Sequence, residues 1–326
     1  MNFSHCHPSF DQFLLELDQL VRIDSTSPLS STAIEHISEF LTPWGFTRHD
    51  QFWTRLHQTS DLWIYMHIDT KPVGDEQAWS TPPFALTQVK DRLFGRGVSD
   101  AKFQLLNGLH SFAQAPVNMI IDGAEECEGT QAGNFLALNK VRRLIIVDGS
   151  AEETGQIFGG LRGQIDGSVV LETGQEPLHP GRVSHTEIIT QLGDMQTLMK
   201  GQHFNLTRIH GGDPIRSLTL EQVLLGFDLR FIEEQEQIQK FLKKYKPQIR
   251  QYFPPVIGSD SIKRRPIAPF SNPIGMSATK FDTVWVLPGG RADNRAHRPN
   301  ENISIRQIGE HRALLDGFAA AGFDVQ

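Results

Sequence analysis

The chain has 326 residues, of which 39% are hydrophobic, and carries a formal net charge of −7. This length allows one large domain or two of ordinary size, and the hydrophobic content excludes global disorder. The basic runs at residues 243–246 and 263–265 are short, so they indicate a solvated surface rather than a nucleic-acid site.

Cysteine usage and apolar runs predict the compartment. The two cysteines, Cys6 and Cys127, are too few and too scattered for a disulfide framework or a thiolate zinc site. Residues 1–8 lack the basic and apolar regions of a signal peptide, and no apolar run approaches the ~20 residues of a membrane span. We therefore expect a cytoplasmic protein that binds neither nucleic acid nor a membrane.

The first half of the chain alternates between helical and strand-like patterns. Apolar side chains at helical spacing predict helices at residues 10–23, from 34 to about 45, at 101–114 and at 129–139. Short apolar runs predict buried strands at residues 62–66, 117–121 and 144–147. This alternation predicts an α/β domain, with a mainly parallel sheet and helices on both faces.

The pattern changes after the glycine cluster at residues 159–163. Strand, helix, two strands and helix then follow at residues 168–172, 186–199, 204–209, 223–231 and 233–252, which is the order of a small α+β domain. A buried strand is predicted again at 284–287 and a helix at 305–321. We interpret the chain as a discontinuous α/β domain, residues 1–159 and 267–326, interrupted by an inserted domain at residues 160–266.

Groups that can bind metal follow the predicted strands, at the edge where open α/β sheets bind ligands. His67 and Asp69 come after strand 62–66 and lie two positions apart. Asp69 can therefore accept a hydrogen bond from the imidazole, which raises the basicity of a metal-binding histidine. A structural pair is the alternative for such a short motif.

Asp100 lies in the glycine-containing stretch at residues 95–102, where a predicted helix begins. A helix N-cap would be sufficient to explain an aspartate there. The functional interpretation is a carboxylate that bridges two cations.

Glu125 and Glu126 follow strand 117–121 as adjacent acids, which repel each other when they are desolvated. A cation offsets that repulsion, and one acid can bind metal while the other polarises a water as general base. A solvated loop is the alternative. Asp148 and His297 also follow apolar strands, and the combination of imidazole and carboxylate suits zinc, cobalt or manganese.

Taken together, these stretches resemble the zinc aminoacylase and carboxypeptidase family, which includes acetylornithine deacetylase, succinyl-diaminopimelate desuccinylase, glutamate carboxypeptidase and carnosine-type dipeptidases. The matching stretches occur in family order and span nearly the whole chain: residues 67–70, 79–84, 93–102, 125–129, 147–148, 160–163, 287–290 and 296–301.

The resemblance implies a metal-dependent amidohydrolase with two divalent ions, zinc or alternatively cobalt or manganese. It implies two ligand sets: His67, Asp100 and Asp148 for one ion, and Asp100, Glu126 and His297 for the other. Glu125 would be the general base that activates a water and later protonates the leaving amine, and Asp69 would orient His67.

The resemblance also implies that the inserted domain, residues 160–266, is a lid that mediates homodimerisation. Within it, His179 would reach an active site, often that of the partner subunit, and stabilise an oxyanion. A histidine in a surface loop is the alternative for His179.

The departures from the family pattern concern the substrate. Phe103 stands where glycine is usual, Arg216 stands where asparagine is common, and the substrate loop between residues 271 and 283 is shortened. Candidate cations for a substrate carboxylate are Arg162, Arg216, Lys280 and Arg291. We expect cleavage of a small N-acyl amino acid, as by a deacetylase or desuccinylase. A dipeptidase or aminopeptidase, and a non-catalytic metal-binding relative, are the alternatives.

Overall fold

A computed structural model describes residues 8–127, 129–153, 155–172, 186–200, 202–211, 222–233, 235–260, 263, 265–269, 271–272 and 281–323. The chain divides into two compact units. The first comprises Met1–Gly160, Val256–Ala268 and Asn272–Gln326, and the second comprises Leu161–Pro255 and Pro269–Ser271. The role of the inserted segment, residues 160–266, as a lid stays a prediction.

The described helices are α1 (Phe10–Arg22), α2 (Ser31–Leu41), α3 (Phe103–Ser111), α4 (Gln131–Leu138), α5 (Thr186–Leu198), α6 (Glu236–Tyr245) and α7 (Ile305–Ala320). The described strands are β1 (Thr47–Arg48), β2 (Phe52–Arg55), β3 (Leu62–His67), β4 (Thr87–Val89), β5 (Arg92–Phe94), β6 (Asn118–Asp122), β7 (Arg143–Ile146), β8 (Ser150–Ala151), β9 (Gly160–Leu161), β10 (Gly163–Glu172), β11 (His203–Gly211), β12 (Gln222–Phe231), β13 (Gln248–Phe253), β14 (Val256–Ile257), β15 (Thr283–Val286), β16 (Gly290–Arg291) and β17 (Asn302–Ser304).

The first unit is built on a six-stranded sheet in the order β1-β2-β6-β3-β7-β15. Strands β6, β3, β7 and β15 are parallel to one another, whereas β1 and β2 pair antiparallel at one edge. The parallel core strands match the apolar runs in the sequence, because strands buried on both faces need continuous apolar residues. The α/β class with a mainly parallel sheet is thereby confirmed.

Strand β3 shows how both faces of this sheet are covered, since all six of its residues are buried. Ile64 and Met66 belong to the large apolar core that also contains Phe13 of α1 and Leu105 of α3. Trp63 points to the other face, where its ring meets Phe135 of α4 at a centroid distance of 5.7 Å. Alternate side chains of one strand therefore pack against helices on opposite faces.

The second unit has a four-stranded antiparallel sheet in the order β11-β12-β10-β13. Its apolar core joins this sheet to α5 and α6, for example through Phe227 of β12 and Phe241 of α6, whose rings lie 5.1 Å apart. The helix predicted at residues 233–252 is wrong in its second half, because α6 ends at Tyr245 and β13 begins at Gln248. Lys246 adopts a left-handed backbone with φ 43°, and Pro247 follows it, so the helix cannot continue.

Helix length decides one further point. The longest described helix, α7, has 16 residues and carries charged side chains such as Arg306 and Glu310. Among the described residues, no helix combines the length and apolar character that crossing a membrane requires.

Candidate metal centre

The carboxyl ends of three neighbouring parallel strands bring the candidate ligands together. His67 is the last residue of β3, Glu125 and Glu126 follow β6, and Asp148 follows β7. Since β6, β3 and β7 are adjacent in the sheet, their following loops meet at one edge. The structure therefore brings these side chains together at the edge where the sequence analysis expected them, and their function as a site stays a prediction.

His67, Asp100 and Asp148 form the first group of potential ligands. The Nε2 atom of His67 lies 3.2 Å from Oδ1 of Asp148 and 3.4 Å from Oδ1 of Asp100. The His67 Nδ1 atom lies 3.2 Å from the carbonyl oxygen of Asp69. When Nδ1 carries the proton, its N–H donates a hydrogen bond to that carbonyl oxygen. The lone pair of Nε2 then faces the two carboxylates.

Asp100, Glu126 and His297 form the second group. The Nε2 atom of His297 lies 2.9 Å from Oδ2 of Asp100 and 2.9 Å from Oε1 of Glu126. Asp100 therefore belongs to both groups and turns one oxygen towards each. This is the arrangement expected of a carboxylate that bridges two cations.

The donor set fits divalent metal ions. A single imidazole nitrogen can donate to only one acceptor at a time in good geometry, yet the Nε2 atoms of His67 and His297 each face two carboxylates. The buried Oε1 of Glu126 accepts no hydrogen bond from the described residues. Imidazole nitrogens and carboxylate oxygens that converge in this way are the ligands that zinc and similar ions bind.

The electrostatics of the site favour a bound cation. Burial raises the pKa of Glu125 well above its usual range, and repulsion from Glu126 and Asp148 raises it further although His67 opposes this. Burial alone lowers the pKa of His297, but the neighbouring carboxylates of Asp100 and Glu126 raise it to about 10. These shifts show how strongly the carboxylates attract positive charge.

Asp69 has a broader structural role than the one predicted for it. Its Oδ1 accepts from the backbone N–H of Glu125 at 3.1 Å, and its Oδ2 accepts from that of Glu126 at 2.8 Å and from the hydroxyl of Ser27. Its carboxylate lies 3.5 Å from Nδ1 of His67, farther than its own carbonyl oxygen. Asp69 therefore fixes the loop of Glu125 and Glu126. That it also orients His67 stays a prediction.

Asn272 and Lys71 are two neighbours of the site that the sequence analysis missed. The amide Nδ2 of buried Asn272 lies 3.0 Å from Oε1 of Glu125 and 3.3 Å from Oδ2 of Asp148. The ammonium of Lys71 lies 3.2 Å from Oε2 of Glu126 and also contacts its carbonyl oxygen. Lys71 stands two positions after Asp69, so its proximity could have been anticipated, whereas no sequence signal pointed to Asn272.

The other predicted site residues are His179, Arg162, Arg216, Lys280 and Arg291. His179, Arg216 and Lys280 are outside the described residues. Arg162 belongs to the second unit, and Arg291 lies 3.9 Å from Asp293 on the surface of the first. The assignment of these arginines and of Lys280 to a substrate carboxylate, and of His179 to an oxyanion, stays a prediction.

Asp100 is not the helix N-cap that the sequence also allowed. Its φ and ψ are −127° and 92°, and α3 begins three residues later, at Phe103. The loop before it turns through Gly97, whose φ of +78° suits glycine. A Cβ atom at Gly97 would lie 2.5 Å from Thr70 and 3.0 Å from Lys102. The backbone of this segment is thus shaped to place Asp100 between the two groups.

Comparison with known proteins assigns the chain to a family. The model of peptidase family M20/M25/M40 matches residues 63–321, so the chain belongs to this family. This confirms the resemblance seen in the sequence. Together with the fold and relatives described next, it makes the protein a metal-dependent hydrolase of amide bonds.

Curated relatives include two succinyl-diaminopimelate desuccinylases. That of Janthinobacterium sp. (strain Marseille) is 22% identical over 251 residues, covering 66% of this chain and 67% of the relative. That of Vesicomyosocius okutanii subsp. Calyptogena okutanii is 25% identical over 259 residues, covering 68% and 69%.

Solved structures share the fold at lower identity. The M20 metallo-carboxypeptidase Sso-CP2 from Sulfolobus solfataricus has a TM-score of 0.68 at 17% identity and covers 95% of this chain and 98% of its own. The dipeptidase Dug1p from Saccharomyces cerevisiae has a TM-score of 0.65 at 16% identity, with 97% of both chains covered. The Bacillus subtilis YXEP protein, a dinuclear metal-binding M20 peptidase, has a TM-score of 0.59 at 12% identity, with 96% and 98% covered.

Proposed function

We propose that this protein is a di-metal amidohydrolase that cleaves the amide bond of a small N-acyl amino acid, as a deacetylase or desuccinylase does. The observation that carries the proposal is the convergence of two ligand groups on one shared carboxylate, that of Asp100. Glu125 stands beside them, linked to Asp148 through the amide of Asn272.

In the proposed centre, His67, Asp100 and Asp148 hold one ion and Asp100, Glu126 and His297 hold the other. Zinc is the proposed metal, since its usual protein ligands include histidine nitrogens and carboxylate oxygens, and cobalt or manganese can take its place. When bound, such ions lower the pKa of a water molecule and polarise an amide carbonyl.

Glu125 is the proposed general base. Its carboxylate takes the proton of the water that attacks the amide carbonyl and gives it to the nitrogen of the leaving amine, so the proton is conserved over the reaction. The Asn272 amide donates to Oε1 of Glu125 and holds that oxygen in place. Asp69 supports the same geometry from the backbone side, through the N–H groups of Glu125 and Glu126.

The desuccinylase relatives support an N-acyl amino acid as the substrate class. A dipeptidase or aminopeptidase of the same family is the alternative, and a non-catalytic metal-binding relative is a further one. Glu125 speaks against the non-catalytic alternative, since a metal store has no need of a second acid beside Glu126. The proposal retains His179 as an oxyanion donor, a homodimer formed through residues 160–266, and a cytoplasmic location.

Replacing Glu125 tests the mechanism. We expect Glu125→Gln to retain metal binding and to lower kcat by about 10²- to 10⁴-fold, the usual contribution of a general base. The assay is hydrolysis of a panel of N-acetyl amino acids, N-succinyl amino acids and dipeptides with added Zn²⁺, Co²⁺ or Mn²⁺. Preference within the panel distinguishes a deacylase from a dipeptidase.

Glu39→Gln is the matched control, since Glu39 is an exposed acid on α2, and its turnover should equal that of the wild type. Unchanged turnover in Glu125→Gln would remove Glu125 from the mechanism. Absence of hydrolysis by the wild type across the whole panel would favour the non-catalytic alternative.

A further inference from the structure

Glu301 is a buried carboxylate outside both ligand groups, and it binds the segment that carries Asp100. Its Oε1 accepts from the backbone N–H of Ser99 at 2.9 Å and from that of Asp100 at 3.0 Å. Its Oε2 accepts from the N–H of Gly97 at 3.0 Å and from the guanidinium of Arg96 at 2.7 Å. The side chain is 1% exposed, so these donors take the place of water.

The bound segment depends on such an acceptor. Asp100 and Ala101 have non-helical backbone angles, and the N–H groups of Ser99 and Asp100 precede the start of α3. Unpaired N–H groups in a buried loop are destabilising, because they lose their hydrogen bonds to water without replacement. A carboxylate that accepts several backbone N–H groups fixes their relative positions, and it therefore fixes the direction in which the Asp100 side chain leaves the loop.

Glu301 also ties this loop to the segment that carries His297. Glu301 and His297 are four positions apart in sequence. Strand β17, which follows Glu301, pairs antiparallel with β5, which precedes the loop of Asp100. In addition, the carbonyl oxygen of Glu301 accepts from the backbone N–H of Gly95 at 3.2 Å. Side chain and main chain of one residue thus join the stretches that present Asp100 and His297, about 200 positions apart in sequence.

We propose that Glu301 is a positioning residue of the metal centre: it holds Asp100 in the orientation in which its two oxygens serve both ligand groups. This inference rests on the proposed function, because it requires Asp100 to be the shared ligand. In this role Glu301 acts through the backbone N–H groups of Gly97, Ser99 and Asp100.

A simple ion pair with Arg96 is the competing explanation for a buried glutamate. Arg96 contacts only Oε2 of Glu301, whereas Oε1 is occupied by Ser99 and Asp100. Arg96 has further partners, the carbonyl oxygen of Pro72 at 3.1 Å and the ring of Trp79 at 5.1 Å. Removing Arg96 therefore breaks the ion pair but leaves the three backbone N–H groups bound, which makes Arg96→Met the matched control.

The test measures the affinity of the 326-residue chain for Co²⁺ by calorimetry and by the visible absorption of the bound ion. Thermal unfolding of the metal-free protein is measured in parallel. In Glu301→Gln, one oxygen is replaced by an N–H₂ group that faces donors. We expect it to weaken Co²⁺ binding about 10- to 100-fold, as loss of a residue that orients a metal ligand does. Arg96→Met should unfold at a lower temperature than the wild type and bind Co²⁺ within about threefold of it.

Each outcome decides the inference. Folded Glu301→Gln with wild-type Co²⁺ affinity overturns it, and so does an equal loss of affinity in Arg96→Met. If Glu301→Gln does not fold, Glu301→Asp keeps the charge but is shorter by one methylene, and wild-type affinity in that variant likewise overturns the inference. Failure of the wild type to bind Co²⁺ contradicts the proposed metal centre itself, a result distinct from the others.

Discussion

His311 shows how a single buried side chain can make the stability of this protein depend on pH. Its Nε2 lies 3.2 Å from the carbonyl oxygen of Leu287, and its Nδ1 lies 3.3 Å from the amide Nδ2 of Asn107. The orientation of that amide is set by its other bonds, because its Nδ2 donates to Ile308 and its Oδ1 accepts from Arg312. Nδ1 of His311 therefore faces a donor and has no place for a second proton.

We expect the protein to lose stability as the pH falls from about 6.5 to about 4. Burial, with a smaller contribution from the charge of Arg312, lowers the pKa of His311 to about 4, although its bond to Leu287 opposes this. In this interval the unfolded chain binds a proton that the folded chain does not, so the free energy of unfolding decreases by roughly 3 kcal/mol from this group. Urea unfolding of His311→Gln across this range should show a shallower dependence on pH than the wild type.

His36→Gln is the control for that measurement, since His36 is exposed on α2. Its pH dependence should follow that of the wild type. Equal slopes for His311→Gln and the wild type would show that His311 is not the group responsible.

At the scale of secondary structure, the end of α6 shows where the periodic pattern of the sequence fails to predict the end of a helix. The charged residues that follow the helix continue its apparent pattern, yet Lys246 is left-handed and the chain then enters β13. Strand β13 is held by β10, from which it is separated by more than 70 positions in sequence. The helix was therefore predicted too long because its apparent pattern was followed past Pro247, which ends a helix, into a strand that only pairing with β10 reveals.

Lys246→Gly should stabilise the protein, by about 0.5–1 kcal/mol. A left-handed backbone is unfavourable for a residue with a Cβ atom, whereas glycine adopts it readily, although glycine loses more entropy on folding. Urea unfolding measures the difference. Gln239→Gly, at an exposed position within α6, should instead destabilise by about 1 kcal/mol. If both glycine variants destabilise alike, the left-handed conformation at Lys246 is not what limits stability there.

At the scale of the whole first unit, metal binding and folding should be coupled. The proposed ligands come from β3, from the loops after β6 and β7, and from the segments around Asp100 and His297. Only the folded chain brings them together, so ions that bind the folded state raise its stability, by about 2.7 kcal/mol at a free concentration 100 times Kd.

We therefore expect the wild type to unfold at a higher temperature with Zn²⁺ than with a chelator, as measured by calorimetry. Asp100→Asn should show a much smaller difference, because it alters the proposed ligand that both groups share, while Glu39→Gln should behave as the wild type. A wild-type unfolding temperature that is the same with metal and with chelator would contradict the proposed centre.

The sequence by itself determined the α/β class, the family and the identity of the groups that follow each buried strand. His67, Glu126 and Asp148 could be found because each lies just after an apolar run that predicts a buried strand. Parallel strands bring their carboxyl ends to one edge of the sheet. These features follow from local periodicity and strand direction, both of which can be inferred from a single sequence.

Only the tertiary structure decided which atoms meet. It brought the amide of Asn272 into hydrogen-bond contact with Glu125. It likewise joined the carboxylate of Asp69 to the backbone N–H of Glu126, and that of Glu301 to the backbone N–H of Asp100. These contacts join positions 57 to 201 residues apart. They depend on side-chain direction and burial in three dimensions, and no spacing along the chain encodes them.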